Sequence, residues 1–264
     1  MENLLVIKIG GNVIDNETAL SAFLQNIATI PGKKILVHGG GKLATELSAQ
    51  LGITTQMVNG RRVTDKPTVK VVTMVYAGYI NKSIVAALQA NNCAAIGLCG
   101  ADAQLLPAVK RPVTDVDYGY VGDLLKDKIN TGFLQALLNT GTLPVIAPIT
   151  SNAEGQLLNV NADTVASSIA EAMSMHYNTT LIFCFEKNGL LRDVNNPDSV
   201  VPVIKTTGVD ELKQQGIITD GMLPKIDNAA AAISNGVGKV VLGHAQHITQ
   251  LANSTTGYGT HITR

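Results

Sequence analysis

Three charged side chains, Lys8, Lys225 and Asp163, are of types and at places that could do chemistry on an anion. Lys8 interrupts the apolar run from Leu4 to Ile9, and a lysine near the end of a buried strand is costly unless an anion pairs with it. Lys225 follows Asp220-Gly221-Met222-Leu223-Pro224 at the opening of a helix. Asp163 falls in the first turn of another, where the helix dipole favours a carboxylate. Two glycine clusters accompany them, Gly10-Gly11 after Lys8 and Gly39-Gly40-Gly41 after Val37. Glycine lets a chain turn sharply at a strand end and bring its N–H groups against an anion, with a helix N-terminus behind them. Each feature alone also fits a plain strand-to-helix turn or an N-cap, as Asn159-Val160-Asn161-Ala162-Asp163 does. Together they describe an anion site assembled from lysines and backbone donors.

Such residues must be held by strands whose ends share one edge. Short β-branched runs alternate with helical stretches, the pattern of an α/β protein with a central, mainly parallel sheet. Leu4 to Ile9 reads as a buried first strand, and Thr18 to Thr29 as a helix stopped by Pro31-Gly32. Ile35 to Val37 reads as the second strand, followed by a helix to about Leu51. Pro67 suits the first turn of a long apolar helix from Thr68 to Ala90. Strands are expected at Ala94–Leu98, Leu143–Ile149, Leu181–Phe185, Lys239–Leu242 and Gly259–Ile262, and helices at Thr131–Asn139, Ala162–Met173, Val209–Gln215 and Pro224–Asn235. Hairpins are expected between Cys99 and Asp127 and again after Phe185. Arg61-Arg62 reads as a basic pair in a loop after Asn59-Gly60. Ligands bind outside the carboxyl ends of parallel strands, so the two glycine clusters should face one crevice. No linker divides the chain; a seam is expected near residue 175.

Composition removes several classes. The 264 residues carry 20 Lys+Arg against 20 Asp+Glu, so no global positive field exists to hold nucleic acid or an anionic membrane. With no Trp, six Tyr and four Phe, base stacking is poorly served. The three cysteines have no CxxC spacing and read as reduced thiols of a cytoplasmic protein. The five histidines form no metal constellation and read as surface residues, and no metal ligand set is expected. No signal peptide opens the sequence and no apolar run approaches ~18 residues. Gly39-x-Gly41-x-x-Ala44 is a weak match to a dinucleotide motif lacking its later acidic residue. No P-loop and no Gly-x-Ser-x-Gly elbow occurs.

Taken in order, the blocks Ile7-Lys8-Ile9-Gly10-Gly11, Val37-His38-Gly39-Gly40-Gly41, Asn59-Gly60-Arg61-Arg62-Val63-Thr64, Tyr120-Val121-Gly122-Asp123, Asn159-Val160-Asn161-Ala162-Asp163 and Thr219-Asp220-Gly221-Met222-Leu223-Pro224-Lys225 are similar to those of the amino acid kinase superfamily. The resemblance runs from Leu4 to about Ile262, and the Asn-Gly-x-Arg-Val-Thr and Asn-x-Asn-Ala-Asp blocks point to its acetylglutamate kinase branch. It implies a three-layer αβα sandwich, with residues 1–175 holding an N-acyl amino acid and forming a homodimer, and residues 176–264 holding nucleotide. It implies phosphorylation of the side-chain carboxylate of N-acetyl-L-glutamate by ATP, with Mg²⁺ carried by the nucleotide, in arginine biosynthesis. Alternatives are the same reaction on another N-acyl-glutamate such as N-succinyl-L-glutamate, suggested by Arg61, or a non-catalytic binding protein.

Carried over by position, Lys8 and Lys225 would stabilise the transferring phosphoryl group and Asp163 would orient both lysines. Gly40, Gly41, Arg62 and Asn159 would hold the acylated amino acid. Gly10, Gly11, Glu186, Gly189, Thr219 and Gly221 would meet the nucleotide and its phosphates. Where the family usually has Asp-Val-x-Gly, this chain has Phe185-Glu186-Lys187-Asn188-Gly189; Glu186 keeps the charge on a longer arm.

Overall fold

The computed structural model describes residues 1–264 except Asn59, Thr219, Asp220, Gly221, Thr256 and the side chain of Pro224. In chain order the strands are β1 (Asn3–Ile9), β2 (Lys33–His38), β3 (Gln56–Val58), β4 (Arg61–Val63), β5 (Ala95–Cys99), β6 (Ala108–Lys110) and β7 (Gly122–Leu124). They continue as β8 (Leu143–Ala147), β9 (Ile149–Ser151), β10 (Leu157–Asn159), β11 (Asn178–Phe185), β12 (Val203–Lys205), β13 (Lys239–His244) and β14 (Thr260–Thr263). Two compact units result: residues 1–35 with 166–264, and residues 36–165. This division differs from a single seam near residue 175. The first 35 residues join the C-terminal unit because β1 pairs along its whole length with β11, Lys8 opposite Phe183.

In the first unit β1, β11 and β13 run parallel, while β14 lies antiparallel to β13 and parallel to β12. Leu4, Val6, Ile7 and Ile9 are buried in β1, so apolar residues occupy both of its faces because both are covered. Three carboxyl ends therefore share one edge, and they carry Lys8-Gly10-Gly11, Glu186–Gly189 and His244. In the second unit β2, β8 and β5 run parallel. Pro148 interrupts the run expected from Leu143 to Ile149, and the chain leaves as the antiparallel pair β9–β10. Here too the carboxyl ends face one way, and Gly39–Gly41 follow β2. The α/β class and mainly parallel strands expected from the sequence are observed in both units.

Two findings correct the sequence reading of this region. Arg61-Arg62 lies in a strand, not a loop: β3 and β4 form a hairpin, with Met57 opposite Arg62 and Gly60 at φ 72°. The long helix spans Lys66–Ala90 but is π-helical from Met74 to Ile80. By length and hydropathy that helix could cross a membrane, yet 44% of its most apolar window is buried within the fold. Val69, Val72, Ile80 and Ile84 form its core-facing stripe.

Candidate active site

The second unit contains a cavity of ≈ 210 Å³ lined by Gly39–Gly41, Arg61, Arg62, Tyr76, Arg111, Asn159 and the Asn161–Ala162 turn, among others. All four residues expected to hold an acyl amino acid thus line one wall system. Its volume lies below the ~300–1,000 Å³ of drug-sized sites and suits a compact metabolite.

Arg62 dominates its chemistry. The side chain reaches in from β4 and the residue is only 8% exposed. Its Nη2 donates to the Gly41 carbonyl and to Thr45 Oγ1, both at 2.8 Å, and Nη1 donates to Thr55 Oγ1 at 3.1 Å. Those acceptors are neutral, and no Asp or Glu is among the lining residues. A buried charge held by neutral partners is costly until an anion arrives, and a guanidinium fork fits a carboxylate. Arg111, by contrast, is already committed to Asp123 through Nε at 2.9 Å and Nη2 at 2.5 Å. Tyr76, on the π segment, is buried beside Arg62; burial pushes its phenol pKa up, and the guanidinium opposes that rise.

Asn159 closes β10 and is 9% exposed, its Nδ2 donating to Thr64 Oγ1 at 3.1 Å. Two residues on, Asn161 Oδ1 accepts from the backbone N–H of Asp163 at 2.8 Å and of Thr164 at 3.1 Å. It is therefore the N-cap of the Ala162–Met173 helix and fixes Asp163 in the first turn. Gly40, at φ 151°, accepts no side chain: a Cβ there would lie 2.2 Å from Ile80 Cδ1 and 3.1 Å from Tyr76 Cδ1. The π turn that carries those two side chains is what crowds the glycine loop.

In the first unit, Lys8 sits in β1 with its Nζ 3.9 Å from where a Gly10 Cβ would be. Its charge partly opposes the burial that pushes the Cys184 thiol up to about 12. Gly10 is extended (φ −85°, ψ 170°) and Gly11 opens the turn Gly11–Ile14. Glu186 is exposed after β11, and Gly189 is buried at φ 157°, where a Cβ would lie 2.6 Å from Thr260 Oγ1. Lys225 lies in the first turn of the Leu223–Ser234 helix. Thr219 and Gly221 fall outside the described residues. Among the described residues no three His, Cys, Asp or Glu cluster as a metal would need.

One of the five histidines departs from expectation. His38 is completely buried at the end of β2, its Nδ1 2.8 Å from the Gly39 carbonyl and its Nε2 3.1 Å from Asn81 Nδ2. Burial lowers its pKa to about 4, against a raising contribution from that carbonyl. Its place in the run Ile35-Leu36-Val37-His38, at the end of an otherwise apolar strand, was the available signal. Tyr76 and Arg111 reach the cavity through long-range packing that no local spacing announces.

Known proteins can now be set beside this geometry. The sequence profile described as the amino acid kinase family matches residues 3–244. The chain belongs to the amino acid kinase family. Within that family it is 52% identical to the acetylglutamate kinase of Phocaeicola vulgatus over 249 residues, 94% of this chain and 96% of that protein. It is 49% identical to the acetylglutamate kinase of Cytophaga hutchinsonii over 263 residues, 99% of each chain. Among solved structures, N-acetylglutamate synthase from Neisseria gonorrhoeae superposes with a TM-score of 0.83 at 22% identity, covering all of this chain and 59% of that one. This last likeness concerns the fold alone. The relatives covered end to end place this amino acid kinase family member among the acetylglutamate kinases.

Proposed function

We infer that the protein is an enzyme that transfers the γ-phosphoryl group of ATP to the side-chain carboxylate of N-acetyl-L-glutamate, giving N-acetyl-L-glutamyl 5-phosphate and ADP in arginine biosynthesis. The observation that carries this reading is a carboxylate-free cavity built around a buried arginine whose protein partners are all neutral. Its full-length relatives carry the same activity in their names. Arg62 takes the α-carboxylate, and Asn159 with the Gly40-Gly41 backbone takes the remaining polar groups. The nucleotide is held by residues 176–264 together with Gly10 and Gly11, and Glu186, Gly189, Thr219 and Gly221 contribute contacts. Residues 36–165, which contain the cavity, hold the acyl amino acid.

The acceptor needs no general base, because a side-chain carboxylate is ionised at neutral pH. One of its oxygens forms a bond to the γ-phosphorus as the bond to the β–γ bridging oxygen breaks, and ADP leaves with that electron pair. The obstacle is repulsion between two anions, roughly 4 kcal/mol per close charge pair at an effective dielectric near 20. Lys8 and Lys225 offset it with fixed positive charge, and Asp163 orients them. Backbone N–H groups of Gly11 and Gly40 meet phosphoryl oxygens as charge grows there. Mg²⁺ travels on the nucleotide phosphates. The protein acts in the cytoplasm as a homodimer, joined through the Lys66–Ala90 helix, where Met74 and Tyr79 are exposed. ADP release should depend on N-acetyl-L-glutamate and stay at background with free glutamate or aspartate; equal release with all three would overturn the assignment.

A further inference from the structure

His38 belongs to no step described above, yet it is the most deeply buried ionisable side chain beside the cavity. Its hydrogen bonds admit one assignment. The Gly39 carbonyl can only accept, so Nδ1 carries the proton. Asn81 Nδ2 also reaches the Val145 carbonyl at 2.9 Å, so that atom is the amide nitrogen and His38 Nε2 accepts from it. The ring is therefore neutral and locked in one tautomer. Asn81 is itself completely buried, and it fits because residue 97 is glycine: a Cβ there would lie 1.9 Å from Asn81 Oδ1. One amide thus ties β2 to β8 through a residue that directly follows the π segment.

The consequence lies in the next peptide. The Gly39 carbonyl and the Gly40 N–H share one planar trans peptide and point in opposite directions. With the carbonyl held toward the buried imidazole, the Gly40 N–H is turned away from it, to the side where Gly39, Gly40 and Gly41 line the cavity. Ile80 and Tyr76 close on the Gly40 Cα from the π turn and leave the loop little room to rotate. We propose that His38, braced by Asn81, is a positioning residue that aims the Gly40 N–H at the transferring phosphoryl group. This rests on the phosphoryl-transfer reading and adds to it the device that sets a backbone donor before substrate binds.

The test exploits side-chain geometry. In His38→Asn the amide nitrogen can take the place of Nδ1, whereas in His38→Gln it can take only the place of Nε2; His38→Phe keeps neither. Steady-state kinetics with ATP and N-acetyl-L-glutamate should show kcat falling about 100-fold in His38→Phe and His38→Gln, the loss typical of one preorganised backbone donor. His38→Asn should stay within about tenfold of wild type, and KM for N-acetyl-L-glutamate should move less than about threefold in all three, since Arg62 is untouched. A merely structural role would favour Gln, the closer match in volume. If His38→Phe does not fold, the Asn and Gln pair decides. A second readout uses ¹⁵N-glycine-labelled enzyme with N-acetyl-L-glutamate and a non-hydrolysable ATP analogue. The Gly40 amide should shift downfield in wild type and His38→Asn and stay put in His38→Gln. A Gln variant as active as Asn, or a Phe variant within threefold of wild-type kcat, overturns the proposal. A wild type that makes no ADP with N-acetyl-L-glutamate, while the Gly40 shift still separates Asn from Gln, overturns the reaction assignment instead.

Discussion

Replacing Arg62 by alanine removes the buried cavity guanidinium whose hydrogen-bond acceptors are all neutral. A guanidinium has five N–H donors. Gly41 and Thr45 occupy both on Nη2, and Thr55 occupies one on Nη1. The Tyr76 hydroxyl lies against the same guanidinium, and one donor is left for a ligand carboxylate. A hydrogen bond to a charged group contributes roughly 1.5–3 kcal/mol, so losing one in which donor and acceptor are both charged costs about 3 kcal/mol, or about 100-fold in affinity. Calorimetric titration of Arg62→Ala with N-acetyl-L-glutamate should show that loss while ATP binds as to wild type. Arg62→Lys keeps the charge but not the fork and should fall between, about tenfold weaker. A thermal melt accompanies each variant, because the Gly41 carbonyl and two threonine hydroxyls lose a donor. If Arg62→Ala binds the acyl amino acid within threefold of wild type, the assignment of this cavity is wrong.

Other outcomes follow from the same account. Lys8→Met should lower kcat at least 100-fold, as loss of transition-state charge stabilisation does, while calorimetric affinity for N-acetyl-L-glutamate stays near wild type. Asp163→Asn should cost much of kcat yet leave the pH–rate profile without a lost general-base limb, as the proposed role of orienting lysines without taking a proton requires. His38 is held neutral, its pKa lowered from 6.5 to about 4. Above pH 6.5 its contribution to stability is complete. As pH falls toward 4 the unfolded chain binds the extra proton first, so up to roughly 3 kcal/mol is lost at ~1.4 kcal/mol per pH unit. Urea unfolding at pH 7 and 5 should show a wild-type decline that His38→Asn reduces; parallel declines would contradict the buried neutral ring.

Most of this fold is legible wherever pattern is local. The apolar run at Leu4–Ile9, the Pro31-Gly32 stop and the N-cap in the Asn159–Asp163 block need only neighbours to be read, and each falls where expected. Gly40, Gly41, Arg62 and Asn159 are 119 residues apart at their extremes, yet the ordered sequence blocks group them and the cavity brings them together. Long-range packing hid the rest. Arg62 in a loop and Arg62 at the centre of a hairpin differ by the weight given to Asn59-Gly60, a pair that favours the positive φ of tight hairpins. His38 reads as a surface residue because histidine usually finds water; besides the adjacent Gly39 carbonyl, its buried partner is Asn81, 43 residues on, seated in the space opened by Gly97.

The central claim is that a carboxylate oxygen becomes bonded to phosphorus. Hydroxylamine trapping tests it directly, with purified enzyme, Mg·ATP and N-acetyl-L-glutamate, following hydroxamate and ADP in the same reaction. The account predicts one hydroxamate per ADP, abolished together in Lys8→Met and restored in Arg62→Ala when the acyl substrate is raised about 100-fold. ADP release without hydroxamate would show that phosphate goes to water or another acceptor, and would contradict it.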